Sequence, residues 1–433
     1  MIFGRRWWWG LCSLVLMLCS RAAFSKEVSP GADYVFRHGG VYTLDPQNPW
    51  TQAVAVQGDT IVFVGSDEDS RAFVGPGTQV VDLTGMTLLP GFVDGHNHLL
   101  APLSSPARED LFLLLPRNGI TACHVLELRS PRELEALLAR FSFLPCRITG
   151  VYASEAPWEI SKEAGTEKLS FWQSSSPLGR LEGVVFGPGG VPPRRVSADD
   201  EGGPDAFLAL ELAAAGARGY AVHLSVPGRV ALSRALRVME EGRRHSDPLP
   251  DHITLHHLPS LSAKDLRRIG CLGAGICLVA EERAPLPENA RLIFLEHEPF
   301  GEVNVAFGSD LPFTDFSQTA PLVRMGRILE ALGPLPEERR RTALARMLWG
   351  YTLGGAHQMA LDNTIGSIEV GKHADLVVLG GAIFDTPSEL LGQLPVLLTL
   401  VDGGETHRDP RLSSVPSVRR PSPGASPHYS PVR

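Results

Sequence analysis

The chain has 433 residues, of which 43% are hydrophobic and 20% charged, with a formal net charge of −8. These proportions exclude wholesale disorder and a membrane channel, and an acidic chain without clustered Lys and Arg excludes a nucleic-acid surface. The length holds two or three average domains, or one closed α/β barrel of about 250 residues with a smaller domain attached.

At the N-terminus, Arg5 and Arg6 precede the apolar run WWWGLCSLVLMLC. That run is shorter than the roughly 20 residues needed to cross a bilayer. It reads as a secretory signal peptide over 1–25, with Ala23 and Ser25 as the small residues of a cleavage site and a mature chain starting near Lys26. The mature protein is therefore expected outside the cytoplasm, periplasmic or extracellular. An uncleaved N-terminal anchor or acylation at Cys19 are the alternatives, and no other membrane association is expected. Cys123, Cys146, Cys271 and Cys277 would remain. They are too few and too widely spaced for a disulfide scaffold or a zinc knuckle, which leaves one disulfide or buried free thiols open.

From Ala32 to Asp82 apolar residues recur with a period near two in YVFRHGGVYTL, AVAVQGDTIVFVGS and TQVVDLTG, separated by Gly, Asp and Asn turn signals. These are short antiparallel strands. A similar stretch, IGSIEVGKHADLVVLGG, returns near Ile365, so both ends of the chain are expected to build one small β-sandwich. Between them lie the strand candidates MTLLPGFVD, ITACHVLEL, CRITGVY, LEGVVFG, GYAVHLS, HITLHH, GICLVA and VNVAFGSD. Helical stretches such as DAFLALELAAAGA, GRVALSRALRVMEEGRRH and SAKDLRRIG alternate with them. Strand then helix, repeated about eight times, predicts an α/β fold of the (β/α)₈ TIM-like barrel type. The expected domains are the signal at 1–25, sandwich at 26–86, barrel at 87–360, sandwich again at 361–405 and a Pro- and Ser-rich disordered tail at 406–433.

In LPGFVDGHNHLL, His96 and His98 sit at i and i+2 of a strand end. Both can therefore look into the same space while Asn97 looks away. His223 after GYAV, His257 after HITLH and Asp310 after VNVAFGS each close a further predicted strand. Barrel enzymes place their active sites at those strand ends, and imidazole with one carboxylate is an ordinary zinc ligand set that leaves a position for water.

LPGFVDGHNHLL, HHLPSLSAKDLRRIG, FGSDLPF and GSIEVGKHADLVVL together resemble the amidohydrolase superfamily, most closely its YtcJ-like branch, from about Ala32 to Asp402. The resemblance implies a metal-dependent barrel with a β-sandwich made from both termini. It implies His96 and His98 as the first-strand metal pair, His223 as the fifth-strand ligand, His257 as the sixth and Asp310 as the eighth. His257 is preferred to His256 because five residues separate it from Ser262, as in the family's usual run into the next helix. The implied chemistry is hydrolysis of an amide, cyclic amide or N-acyl C–N bond in a small molecule. Asp310 takes a proton from a metal-activated water, and His223 or His257 helps to polarise the carbonyl.

One departure stands out. The branch usually carries a lysine in the fourth strand that, when carboxylated, bridges two metals; GVVFGPGG places Val185 there. Valine ligates nothing, so one divalent ion, zinc by ligand type, is expected. Lys162 or Lys168 would be the only nearby substitutes.

His124 and His256 read as core residues or as supports beside the site, and Glu127 as solvated or ion-paired. His252, His357 and His373 read as packing or surface residues, and EERRRTALAR as a solvated helix face. The segments Ala153 to Gln173 and Val191 to Pro204 are where substrate selection is expected. Two other classes stay open: a degenerate barrel that binds a ligand without turnover, and a metal-assisted lyase or isomerase on the same fold.

Overall fold

The computed structural model describes residues 31–99, 108–128, 144–153, 179–186, 203–217, 219, 221–280, 286–296 and 303–412. The expected signal segment, Lys162, Lys168, most of both substrate-selecting segments, the side chains of Glu127 and Val185, and the tail from 413 onward lie outside these residues.

The alternating N-terminal segment forms β1 (Tyr34–Arg37), β2 (Gly40–Tyr42), β3 (Trp50–Thr51), β4 (Ala53–Gln57), β5 (Thr60–Gly65) and β6 (Gln79–Asp82). Four of them make a sheet in the order β5, β4, β1, β6. In it β1 is antiparallel to β4 but parallel to β6.

The expected strand MTLLPGFVD is two strands, β7 (Thr87–Pro90) and β8 (Phe92–Asn97), with Gly91 as the pivot between two sheets. A Cβ at Gly91 would stand 2.0 Å from Thr121 Oγ1, so only glycine lets the chain pass so close to its neighbour. Then come β9 (Ile120–Leu128), β10 (Arg147–Ala153), β11 (Gly179–Phe186), β12 (Ala221–Ser225), β13 (Ile253–His256), β14 (Gly275–Val279) and β15 (Val305–Gly308). From β8 to β15 these form one eight-stranded sheet in chain order, and the pairs are parallel. Its first and last strands also touch. Asp310 N donates to His96 O at 3.0 Å and His98 N to Leu311 O at 2.6 Å.

Helices follow most of these strands: α1 (Arg108–Arg117), α2 (Gly203–Gly216), α3 (Arg229–His245), α4 (Ala263–Cys271) and α5 (Leu286–Arg291). Leu232, Leu236 and Met239 recur at helical spacing on α3 and are buried, which fixes the face it lays on the sheet. Ser262 caps α4: its Oγ accepts from Asp265 N at 3.2 Å, and Asp265 Oδ2 accepts from Ser262 N at 2.8 Å. Val125, Ile148, Val222, Leu255 and Ile276 point outward into the same core as Leu236 and Ile269. By strand alternation, the residues between them point inward. The basic run lies on a helix, α6 (Glu337–Gly350), whose Ala343, Leu344 and Met347 are buried while Arg339 and Arg341 are exposed.

C-terminal strands β16 (Leu376–Leu379), β17 (Val396–Val401) and β18 (Gly404–Arg408) join β7, β2 and β3 in a six-stranded sheet of order β18, β17, β16, β7, β2, β3. Phe36, Val54 and Ile61 of the four-stranded sheet share one buried cluster with Leu88, Val378 and Leu398 of the six-stranded sheet. Each such side chain contributes about 1.5–3 kcal/mol relative to exposure. The ordered chain runs past the expected boundary at 405, because β18 continues to Arg408 and Leu412 is buried in that cluster. Among the described residues, no helix is long and apolar enough to cross a membrane.

Candidate metal centre

The ends of β8 and β15 bring the first group together. His96 is fully buried and His98 nearly so; their Nε2 atoms lie 3.2 Å apart. Asp310 Oδ1 stands 3.6 Å from His96 Nε2 and 3.5 Å from His98 Nε2. Two ligand atoms on one tetrahedral cation, each bonded at about 2.0–2.1 Å, are roughly 3.4 Å apart. The triangle of 3.2, 3.5 and 3.6 Å therefore matches three ligands converging on one ion.

Backbone geometry holds that triangle. Asp310 has φ +60°, in the left-handed region where a short polar side chain is tolerated, and this turns its carboxylate back over β8. Gly308 is obligatory: a Cβ there would lie 2.2 Å from that of His96. Beneath, the buried Asp94 accepts from Ser309 N at 2.8 Å, Ser309 Oγ at 2.7 Å and Asn97 Nδ2 at 3.2 Å. Burial pushes its carboxyl up to about 6, with these hydrogen bonds opposing the rise.

The β13 end supplies two more rings. Ile253 and Leu255 point to the helices, so alternation sends Thr254 and His256 inward. Strict alternation would send His257 outward, but its φ of +53° breaks the strand and returns the ring to the site. Ring centroids then separate His96 from His256 by 4.7 Å and from His257 by 4.9 Å. Both histidines fall within ligand reach of His96, so proximity does not favour His257 over His256 as helix spacing did.

His223 is placed differently. It lies outside both groupings made with His96 and faces His124: their Nε2 atoms are 3.1 Å apart and their rings 4.7 Å. His124 Nδ1 in turn lies 2.5 Å from Thr149 Oγ1. Of the two residues that the sequence reading set beside the site, His256 comes within ligand reach of His96 and His124 comes against His223. The available signal was alternation: Cys123 and Val125 are apolar and buried in the outer core, which leaves His124 to the interior. His252, His357 and His373 are elsewhere; His252 stacks on His357, and His357 pairs with Asp362 at 3.0 Å. The four cysteines are free thiols, with Cys123 Sγ 3.8 Å from Cys146 Sγ.

Burial favours the neutral form of four of these rings. Burial, then the neighbouring histidines, depresses His96 and His256 well below the ordinary 6.5. Burial also depresses His124, and takes His223 down to about 3. A neutral imidazole retains a lone pair for a metal. Among the described residues, both nitrogens of His256 and Nδ1 of His223 are buried without a hydrogen-bond partner, a cost that a bound ligand would relieve.

Comparison with known proteins shows the family. A family model described as Amidohydrolase family matches residues 144–407. The N-substituted formamide deformylase of Arthrobacter pascens is 37% identical over 78 residues, 18% of this chain and only 14% of that enzyme. Imidazolonepropionase of Shouchella clausii is 25% identical over 382 residues, 78% of this chain and 80% of the relative. The putative amidohydrolase YtcJ of Bacillus subtilis is 32% identical over 109 residues, 25% of this chain and 19% of the relative. Among solved structures, a zinc-bound adenosine deaminase from Xanthomonas campestris superposes with a TM-score of 0.59 at 17% identity, covering 87% of this chain and 93% of that one. With the family model covering more than half of it, the chain belongs to the amidohydrolase family, in its YtcJ-like branch.

Proposed function

We propose that the protein is a metal-dependent hydrolase of a C–N bond in a small amide, cyclic amide or N-acyl compound. On this reading the eight-stranded sheet closes as a (β/α)₈ barrel, and the two smaller sheets form a β-sandwich from both termini. The mature chain would act after export. The observation that carries the reading is the triangle of His96, His98 and Asp310, with one carboxylate and two imidazoles spaced for a single divalent cation of the zinc class.

A cation bound there supplies Lewis acidity, lowering the pKa of a water from 15.7 towards about 7. The chain's own groups do the rest. The Asp310 carboxylate, fixed by its left-handed backbone, accepts a proton from the attacking water and returns it to the leaving nitrogen. His257, partly exposed beside the buried His256, is placed to donate to the substrate carbonyl as negative charge grows on its oxygen. The deformylase, imidazolonepropionase and deaminase named above support this bond class by likeness.

The test pairs metal content with turnover of an amide panel. The expected result is metal bound by the purified protein, loss of the ion held at this triangle in His96→Ala/His98→Ala, and hydrolysis reduced about 10³-fold in Asp310→Asn, a magnitude typical of losing a positioned acid–base group. Undiminished hydrolysis in Asp310→Asn would remove the general base from the mechanism. An unchanged metal count in the double variant would remove the triangle as the metal site.

A further inference from the structure

A single apolar side chain on a surface needs no explanation; one that stands against the reacting groups does. Among the described residues the large exposed aromatic side chains are Trp50 and Phe313, at 47% and 61% exposure. Trp50 is accounted for locally, since its ring lies 4.8 Å from Tyr42 and 5.3 Å from Phe384. Phe313 stands 5.4 Å from the ring of His98, tilted 57° to it.

We propose that Phe313 is a specificity-determining residue, an apolar wall beside the His96, His98 and Asp310 triangle that selects amides carrying a flat aromatic ring on the scissile C–N bond. This rests on the hydrolase reading of the triangle.

The triangle opens on the side where Phe313 stands. His96 is sealed, whereas His98 and Asp310 keep 7% and 9% exposure, and His98 is the ring that Phe313 abuts. The wall is also held in place. Phe313 N donates to Asp310 O at 2.9 Å, and His98 N donates to Leu311 O at 2.6 Å. Thr314 Oγ1 donates to Ser309 O at 2.6 Å, so the turn is tied on both sides of the ring. Leu311, in the same turn, is buried in the core. The turn thus sends one apolar side chain inward and leaves the other at the opening.

The class of substrate follows from that position. Aromatic rings pair offset or edge-on with centroids about 4.5–7 Å apart. A molecule that reacts at the triangle brings its scissile bond beside His98, and a ring attached to that bond then comes within pairing range of Phe313. A methyl group there covers little of the ring face, and a cyclohexyl group of the same carbon count is too thick to lie flat on it. The face of Phe313 is electron-rich, so an anionic substituent gains nothing from it.

The competing arrangement is a ring that only shields His98 from water. Two matched pairs separate them: benzamide against cyclohexanecarboxamide, and acetanilide against N-cyclohexylacetamide. Turnover of each is compared in the zinc-supplied wild type, Phe313→Leu and Phe313→Trp. Binding is measured independently by calorimetry with acetophenone and cyclohexyl methyl ketone, which have no C–N bond to break. The expected result is a preference for the flat member of about 10-fold in kcat/KM in at least one pair, the size of one apolar pocket contact. Phe313→Leu should abolish that preference and raise the Kd of acetophenone about 10-fold, while Phe313→Trp should keep both near wild type. The position is exposed and leucine keeps its apolar character, so folding is not at stake.

Equal losses for flat and puckered members in Phe313→Leu overturn the proposal in favour of shielding. A wild type with no flat preference, in turnover or in ketone binding, overturns it as well. If no amide is hydrolysed, yet acetophenone binds in preference to the cyclohexyl ketone and Phe313→Leu removes that preference, the hydrolase reading fails and the aromatic wall stands.

Discussion

The two ends of the eight-stranded sheet treat buried polar groups in opposite ways. Arg147 opens β10 and is buried. Its guanidinium donates to Asp375 at 3.3 and 3.4 Å and to Asp402 at 2.7 Å. Asp375 accepts from Asp402 N at 2.9 Å, and its own carbonyl accepts from the pivot Gly91 N at 2.8 Å. Charge meets charge throughout. At the other end, among the described residues, both nitrogens of His256 and Nδ1 of His223 are buried without partners. The paired network locks the six-stranded sheet to the base of the eight-stranded one, whereas the unpaired imidazoles are chemically unfinished. Burial alone therefore does not mark a functional site; what distinguishes the strand ends is that the unspent capacity there falls on imidazoles within reach of His96, His98 and Asp310.

The sharpest way to break this comparison is Arg147→Ala. It would leave the buried Asp375 facing the part-exposed Asp402 without their shared cation, and breaking a buried pair costs about 3–5 kcal/mol, an upper bound for this half-screened network. Chemical denaturation should show a loss of up to that size, with the metal count of the surviving folded protein unchanged. A variant as stable as wild type would mean that the network is not what joins the two sheets. A lowered metal count would mean that the two ends are coupled.

Much of this was legible in the residues themselves. The strands from ITACHVLEL to VNVAFGSD lie where the short β-branched runs between helical stretches put them. His96, His98 and Asp310 followed from the same logic of strand ends. What stayed hidden has physical causes. MTLLPGFVD reads as one strand because its apolar run is continuous, and only the clash that any side chain at Gly91 would make with Thr121 reveals the pivot. His256 and His257 could not be separated by counting, since one faces inward by alternation and the other by a positive φ. The pairing of His124 with His223 joins residues 99 positions apart, a distance that no local pattern bridges.

Metal removal acts on the unfinished end alone. If the ion binds only the folded chain, metal at a hundredfold excess over its Kd stabilises by about 2.7 kcal/mol. Dialysis against a chelator should therefore lower the melting temperature, and do so equally in a folded variant of the Arg147 network and in wild type. The metal-free protein should also be acid-sensitive. His223 has a folded pKa depressed to about 3 from 6.5, so as pH falls below about 6.5 the unfolded chain takes up the proton first. Its share of stability is complete above that value and is lost on the way down towards 3. A melting temperature that stays flat between pH 7 and 5 in the metal-free protein would mean that these rings protonate without unfolding, against their burial.

The smallest effect belongs to the helix layer, where polar groups are paired but exposed to solvent on one side. Ser262→Ala removes a side-chain cap from α4 and leaves Asp265 N without its acceptor. Arg229 still pairs with Asp265 at 2.8 Å, which holds α3 against α4 without the cap. Loss of a capping serine typically costs about 1 kcal/mol. Denaturation should register that cost while metal content and turnover stay at wild-type values, because the cap touches neither the imidazoles nor the strand ends that carry them. A change in metal affinity in this variant would mean that the position of α4 is transmitted through β13 to His256 and His257, and the line between the finished and unfinished parts of the fold would have to be redrawn to include the helix that precedes β14.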